Sequence, residues 1–166
     1  QRHTPLAQIT PANVARLVEM GTAYEWGAMS SFPTVTLANH TSILTGRFPG
    51  HHGILHNAWY DRTRGEQVIT NSMATWPWAM SHLVDGVETL HAPIHREFPD
   101  AFTASVNEPC DVGADYSTFE FFRNGDVSAI PEGPEGIPHA TERFVRPSKD
   151  YAWSTTVDHL CVDQAV

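Results

Sequence analysis

Nowhere does this sequence hold an apolar run approaching the roughly 20 residues that a membrane-spanning helix needs. A basic-then-apolar opening of the kind that marks a secretory leader is lacking too, although the chain starts at Gln1 and a leader removed upstream is compatible with it. Basic residues are scarce: ten Lys and Arg stand against nineteen Asp and Glu, a formal charge of −9. A field of that sign repels polyanions and argues against a nucleic-acid-binding module. A small phosphate ester is acceptable only where something local, such as a bound divalent metal, neutralises the phosphate. Cysteine is nearly absent. Cys110 and Cys161 lie far apart, fit no C-x-x-C metal or redox pattern, and are read as thiols rather than as a disulfide. Internal repeats are also missing. What remains is a globular composition, 41% hydrophobic and 17% charged over 166 residues, enough for the core of one domain and too short for two ordinary ones.

Thr10-Pro11 reads as a helix start, with Thr as N-cap and Pro in the first turn, and Gly21 closes the apolar stripe of Val14, Leu17 and Val18. Residues 22–29 are expected to form a short strand that Gly27 weakens. From Ser30 to Asp61 the chain is dense in Pro, Gly, Asn and His, broken by one helix over Asn39 to Thr45 that Gly46 ends. A helix is expected over 84–97 and a strand over 101–106. Helix followed by strand, twice, suggests an α/β sheet. Residues 124–150 carry four prolines and three glycines and read as a long surface excursion. At the C-terminus, Thr155 and Asp158 start a helix whose stripe of Val157, Leu160, Cys161 and Ala165 is still running at Val166. The expectation is a fragment, the N-terminal part of one catalytic domain covering residues 1–166.

The informative stretch runs from Phe32 to Ile54. It places hydroxyls and an amide on an extended loop entering a helix N-terminus, where unpaired N–H groups and the helix dipole favour an anion. A threonine there can attack phosphorus once a metal lowers its pKa. On spacing alone, such a hydroxyl is more commonly a helix cap. The order of residues changes that weighting. Phe32-Pro33-Thr34, Thr36, Asn39, Thr45-Gly46, Pro49 with His52-Gly53-Ile54, and Asn57 with Tyr60-Asp61 stand in one register over about thirty residues. This run resembles the signature of type I phosphodiesterases and nucleotide pyrophosphatases of the alkaline phosphatase superfamily, as does the preceding segment from Thr10 to Leu17.

The resemblance implies an α/β fold with a mostly parallel sheet flanked by helices, present here as a partial domain. It implies hydrolysis of a phosphodiester or pyrophosphate bond in a small phosphate-ester substrate, through a covalent phospho-enzyme. Thr36 matches the nucleophile, which is also a ligand to one of two divalent metal ions, expected to be zinc. Asn39 matches the residue whose amide donates to a non-bridging phosphoryl oxygen. Ala38 departs from a position where many members have Pro, and Thr34 is a neighbouring alternative nucleophile. The remaining ligands of the resembled family, an upstream carboxylate, an Asp-x-x-x-His, an Asp-His-Gly and a final His, do not stand in residues 1–166; Asp158-His159 is followed by Leu160. The chain alone is therefore expected to be inactive. A phosphonate hydrolase, a phosphomonoesterase, or a non-catalytic binding domain that has lost its metals are the alternatives. A sulfatase is disfavoured because no Cys- or Ser-x-Pro-x-Arg element is present.

Other candidates carry less. His91 and His95 are four apart, the spacing of paired ligands on one helix, but Pro93 lies between them. Of His51, His52 and His56, His52 is read as a hydrogen-bonding residue of a structural turn. Asn39-His40-Thr41 matches a glycosylation sequon but overlaps the expected active site. Trp76, Trp78, Phe119, Phe121 and Phe122 are read as packing rather than as a base-stacking platform.

Overall fold

In a computed structural model, residues 12–24, 26–72, 75–125, 159 and 161–165 are described. The chain divides into two compact units, residues 1–30 and 31–166. In the first, the apolar stripe forms helix α1 (Ala12–Met20), and Gly21 ends it by donating its N–H to the Leu17 carbonyl at 2.9 Å. The Thr10-Pro11 start lies outside the described residues. The strand expected over residues 22–29 is not formed among those described: Gly27 takes φ 83°, a left-handed conformation that interrupts a pleated run.

The second unit is built around helix α2 (Thr36–Thr45). It begins three residues before the expected start at Asn39. The reason is the stripe Leu37, Thr41 and Leu44, which needs Leu37 in helical geometry to bury it. Gly46 ends the helix as expected, at φ 64°, with its N–H on the Ser42 carbonyl. A single turn, α3 (Pro49–His52), follows, and Gly53 closes it. Leu37, Ile54, Ala79, Met80 and Cys110 make the core, with Leu44, Trp76 and Leu83 packed against it.

An antiparallel hairpin of β1 (Ala58–Asp61) and β2 (Glu66–Ile69) comes next, which the reading of that region as loop did not foresee. Its turn is set by Asp61, whose Oδ1 accepts the N–H groups of Thr63 and Arg64. A 3₁₀ segment (Trp76–His82) leads to helix α4 (His91–Glu97), shorter than the expected 84–97 because Gly86 takes φ 77° and the Leu90 N–H is given to the Leu44 carbonyl. Pro93 does not break α4. It sits in the first turn, where a backbone N–H has no intrahelical partner anyway.

Strand β3 (Ala104–Ser105), inside the expected 101–106, pairs in parallel with β4 (Tyr116–Ser117), and helix α5 (Thr118–Asn124) follows directly. The described architecture is thus mixed helix with two small sheets, one antiparallel and one parallel. Residues 126–150, most of the expected excursion, lie outside the described residues. Of the expected C-terminal helix, residues 159 and 161–165 are helical. Cys110 is a free, buried thiol. No described helix is long and apolar enough to cross a membrane.

Candidate active site

Thr36 is the first residue of α2 and is exposed. The N-cap is Val35, in extended conformation, and a valine offers no oxygen to the first turn. The earliest intrahelical bond runs from the Asn39 N–H to the Val35 carbonyl at 3.1 Å. The N–H groups of Thr36, Leu37 and Ala38 therefore face the helix entrance without a side-chain cap, and the helix dipole adds to their pull on an anion. Thr34 is exposed on the approach to the helix, and the Phe32–Pro33 bond is cis.

Asn39 lies three residues on, and its side chain is spent locally. Its Nδ2 donates to the carbonyls of Pro33, at 2.9 Å, and Val35, at 3.0 Å. Its Oδ1 accepts the N–H of Ser31 at 2.8 Å and the Ser31 hydroxyl at 3.0 Å. The amide thus ties down both sides of the loop that presents Thr36, and both of its hydrogens are committed. The motif's other amide, Asn57, contrasts with it: its buried Oδ1 has no partner among the described residues.

One turn after Thr36, His40 bonds through Nδ1 to Glu108, whose other oxygen accepts the Cys110 N–H at 3.0 Å. Residues four apart share a helix face, so α2 carries Thr36 and the His40–Glu108 pair on one side while Leu37 and Thr41 go inward. The spacing of Thr36 and His40 was visible in the sequence. The link of His40 to a carboxylate 68 residues away was not.

His52 is wholly buried and holds α3 against α2. Its Nδ1 accepts the Ile54 N–H, and burial pushes its pKa below the ordinary imidazole value. The hydrogen-bonding role expected for it is what the structure gives. His91 and His95 do share helix α4, but they do not act together. His95 bonds to Asp115 at 2.8 Å, whereas His91 is buried with both ring nitrogens unpartnered among the described residues. Trp76 stacks on Phe119, and Phe119 packs at a tilt against Phe122. Cys110 is enclosed in the core, and burial together with the Glu108 charge pushes its thiol up to about 12.

A divalent ion needs several converging ligands. Among the described residues, no group of three or more His, Cys, Asp and Glu side chains could hold one. At the start of α2 stands the exposed oxygen of Thr36, with no protein partner among the described residues. That fits one ligand of a larger set and no more.

Comparison with known proteins gives this geometry a context. The chain matches the family described as type I phosphodiesterase / nucleotide pyrophosphatase over residues 6–118, more than half of its length. It is 51% identical over 43 residues to alkaline phosphatase PafA of Elizabethkingia meningoseptica, covering 26% of this chain and 8% of that protein. It is 46% identical over 43 residues to an uncharacterized pyrophosphatase/phosphodiesterase of Schizosaccharomyces pombe, 26% of this chain and 9% of that one. A third relative, ectonucleotide pyrophosphatase/phosphodiesterase 2 of Saccharomyces cerevisiae, is 37% identical over 49 residues, 30% of this chain and 10% of its own length. The matched segments thus span no more than a tenth of each relative. No solved structure matches the chain.

Proposed function

Because the chain belongs to the type I phosphodiesterase / nucleotide pyrophosphatase family, we propose that the protein hydrolyses phosphodiester or pyrophosphate bonds with Thr36 as its nucleophile. The observation that carries this is the exposed Thr36 hydroxyl at the uncapped start of α2. Its oxygen attacks phosphorus as the hydroxyl proton leaves, and the leaving group departs with the bond electrons and a proton. Water later cleaves the threonine–phosphorus bond, releasing a phosphate monoester where the substrate was a diester and restoring the hydroxyl. Charge building on the phosphoryl oxygens meets the free N–H groups of the first turn.

Two divalent ions, zinc as the expected pair, fit the reading with Thr36 as one ligand. When bound, such an ion lowers the pKa of the hydroxyl and balances phosphoryl charge, which also answers the −9 net charge. Asn39 is proposed to serve catalysis through the loop it clamps; a direct contact with a phosphoryl oxygen requires it to release Pro33 or Val35. Asn57 is proposed as the side-chain amide that meets substrate: its buried Oδ1, without a protein partner among the described residues, accepts from a water or a substrate donor, and its Nδ2 is the group that can donate to a phosphoryl oxygen. The parallel β3–β4 pair is in keeping with an alkaline phosphatase-like sheet, which we propose as the fold. The similarity to alkaline phosphatase PafA favours phosphomonoester hydrolysis as the second reading.

Thr36→Ala in the intact, metal-supplied protein should abolish turnover and leave the fold intact. Paired assays with a chromogenic diester and the matching monoester separate the two readings. A Thr36→Ala variant with near-wild-type turnover would remove Thr36 as nucleophile and send the search to Thr34. A wild-type protein inactive on every ester would favour a binding domain.

A further inference from the structure

Between His52 and the loop of Thr36 runs a line of hydrogen bonds, and the chemistry fixes the direction of those at its two ends. The Ile54 N–H, 3.1 Å from His52 Nδ1, can only donate, so Nδ1 is an acceptor and the ring proton sits on Nε2. Nε2 lies 3.1 Å from Ser42 Oγ and 3.2 Å from the Ala38 carbonyl. Ser42 Oγ is 3.1 Å from Ser31 Oγ. At the far end, the Ser31 N–H must donate to Asn39 and the Pro33 and Val35 carbonyls must accept, which settles the amide orientation. The Ser31 hydroxyl lies within reach of both Asn39 Oδ1 and Ser42 Oγ, and the Ser42 hydroxyl also donates to the Ala38 carbonyl at 2.9 Å, so Ser42 joins α2 backbone, His52 and Ser31. Ser42 in turn accepts from His52. Each member thus touches the next, from His52 through Ser42 and Ser31 to Asn39.

We infer that His52 is a positioning residue for the nucleophile: through Ser42 and Ser31 it orients Asn39, which fixes the Pro33 and Val35 carbonyls on the approach to Thr36. The inference rests on the reading of Thr36 as nucleophile. None of the relayed bonds touches Thr36 itself. His52 is 0% exposed and Ala38 is 0% exposed, so the near end of the line is anchored in the packed interior. Placing the proton donor there makes loop geometry depend on the packing of α3 against α2 rather than on solvent.

The test uses Ser42→Ala, Ser42→Thr and His52→Gln in the intact, metal-supplied protein. Alanine at 42 is a good helix former and removes the middle hydroxyl alone. It should lower kcat by roughly 10- to 100-fold with KM changed by less than about twofold, since a misplaced reacting group costs rate more than binding. Ser42→Thr keeps a hydroxyl at that position and should recover kcat to within about threefold of wild type. Gln at 52 can place an N–H donor near the Nε2 position and should lose less than His52→Leu. Nitrogen-15 NMR of the wild-type imidazole supplies a readout independent of turnover, with a proton on Nε2 and none on Nδ1. Wild-type kcat in Ser42→Ala, equal losses in Ser42→Ala and Ser42→Thr, or a proton on Nδ1 would each overturn the inference. A fully active Thr36→Ala variant would instead overturn the nucleophile reading beneath it.

Discussion

Beyond the activation that a base or metal supplies, a hydroxyl serves as a nucleophile only when no other group claims it and its backbone is held still. Thr36 meets the first condition by standing exposed after a valine cap, and Asn39 meets the second by bonding two carbonyls of the preceding loop. Asn39→Ala should therefore lower kcat and also cost roughly 1–3 kcal/mol of stability, from the orphaned Ser31 N–H and the two carbonyls. Chemical denaturation alongside steady-state kinetics checks this. A large kcat loss at unchanged stability would put the Asn39 amide on the phosphoryl oxygen instead, as the sequence alone suggested. Asn57→Ala, by contrast, should lower kcat by about 10²–10³ if its amide meets the transition state. Cys110 gives a simpler expectation. A thiol pushed up to about 12 and wholly buried carries almost no thiolate at neutral pH, so an aromatic disulfide reagent should leave it unmodified until the protein is denatured. Thr36 and Asn39 could be nominated from the sequence because the family signature is written in consecutive residues. Which partner each side chain takes was not legible there, because an amide at a helix start can cap, clamp or catalyse with the same spacing.

At the scale of elements, the sequence marked helices well where an apolar stripe met a glycine stop, as in α1 and α2. It erred where a local signal met a stronger neighbour. The early start of α2 follows from the burial of Leu37, and the late start of α4 from the bond between Leu90 and Leu44. The β1–β2 hairpin was hidden because its strands are four residues each and only the Asp61 turn with Gly65 announces it. Glycine at 53 is needed for two reasons. It takes φ 90° at the end of α3, and a Cβ there would lie 2.8 Å from the His82 carbonyl oxygen and 2.9 Å from Val84 Cγ2. Gly53→Ala should destabilise by about 1–3 kcal/mol through backbone strain, and by more if the 3₁₀ segment cannot shift. Urea denaturation measures it, and a neutral result would mean that the turn relaxes freely.

Taken as a whole molecule, the protein couples its folding to pH through histidines more than its acidic composition suggests. His52, His82 and His91 all titrate below the ordinary imidazole value, chiefly because burial penalises the charged ring, with Arg64 adding to the effect at His82 and His95 at His91. A base with a lowered folded-state pKa binds fewer protons than its unfolded counterpart. Stability from each ring is therefore complete above the unfolded value of about 6.5 and falls away as pH drops through the folded value. The carboxylates give a second, separate window. Asp61, Glu88 and Asp115 are held below their usual range, mainly by the Arg64 N–H, the Arg96 guanidinium and the Thr103 N–H respectively, so their contribution fades only as pH falls through about 4 and below. The distant pairings behind these shifts, such as His95 with Asp115, could not be read from spacing in the chain. Denaturation at constant ionic strength should thus show stability level above about pH 7, a first decline setting in as pH falls below about 6.5, and a second setting in near 4. His52→Gln, which cannot titrate in that range, should flatten the first decline without moving the second. A first decline of the same depth in that variant would place the coupling on His82 and His91, and none at all in the wild type would mean that the buried rings lose their burial before they gain a proton.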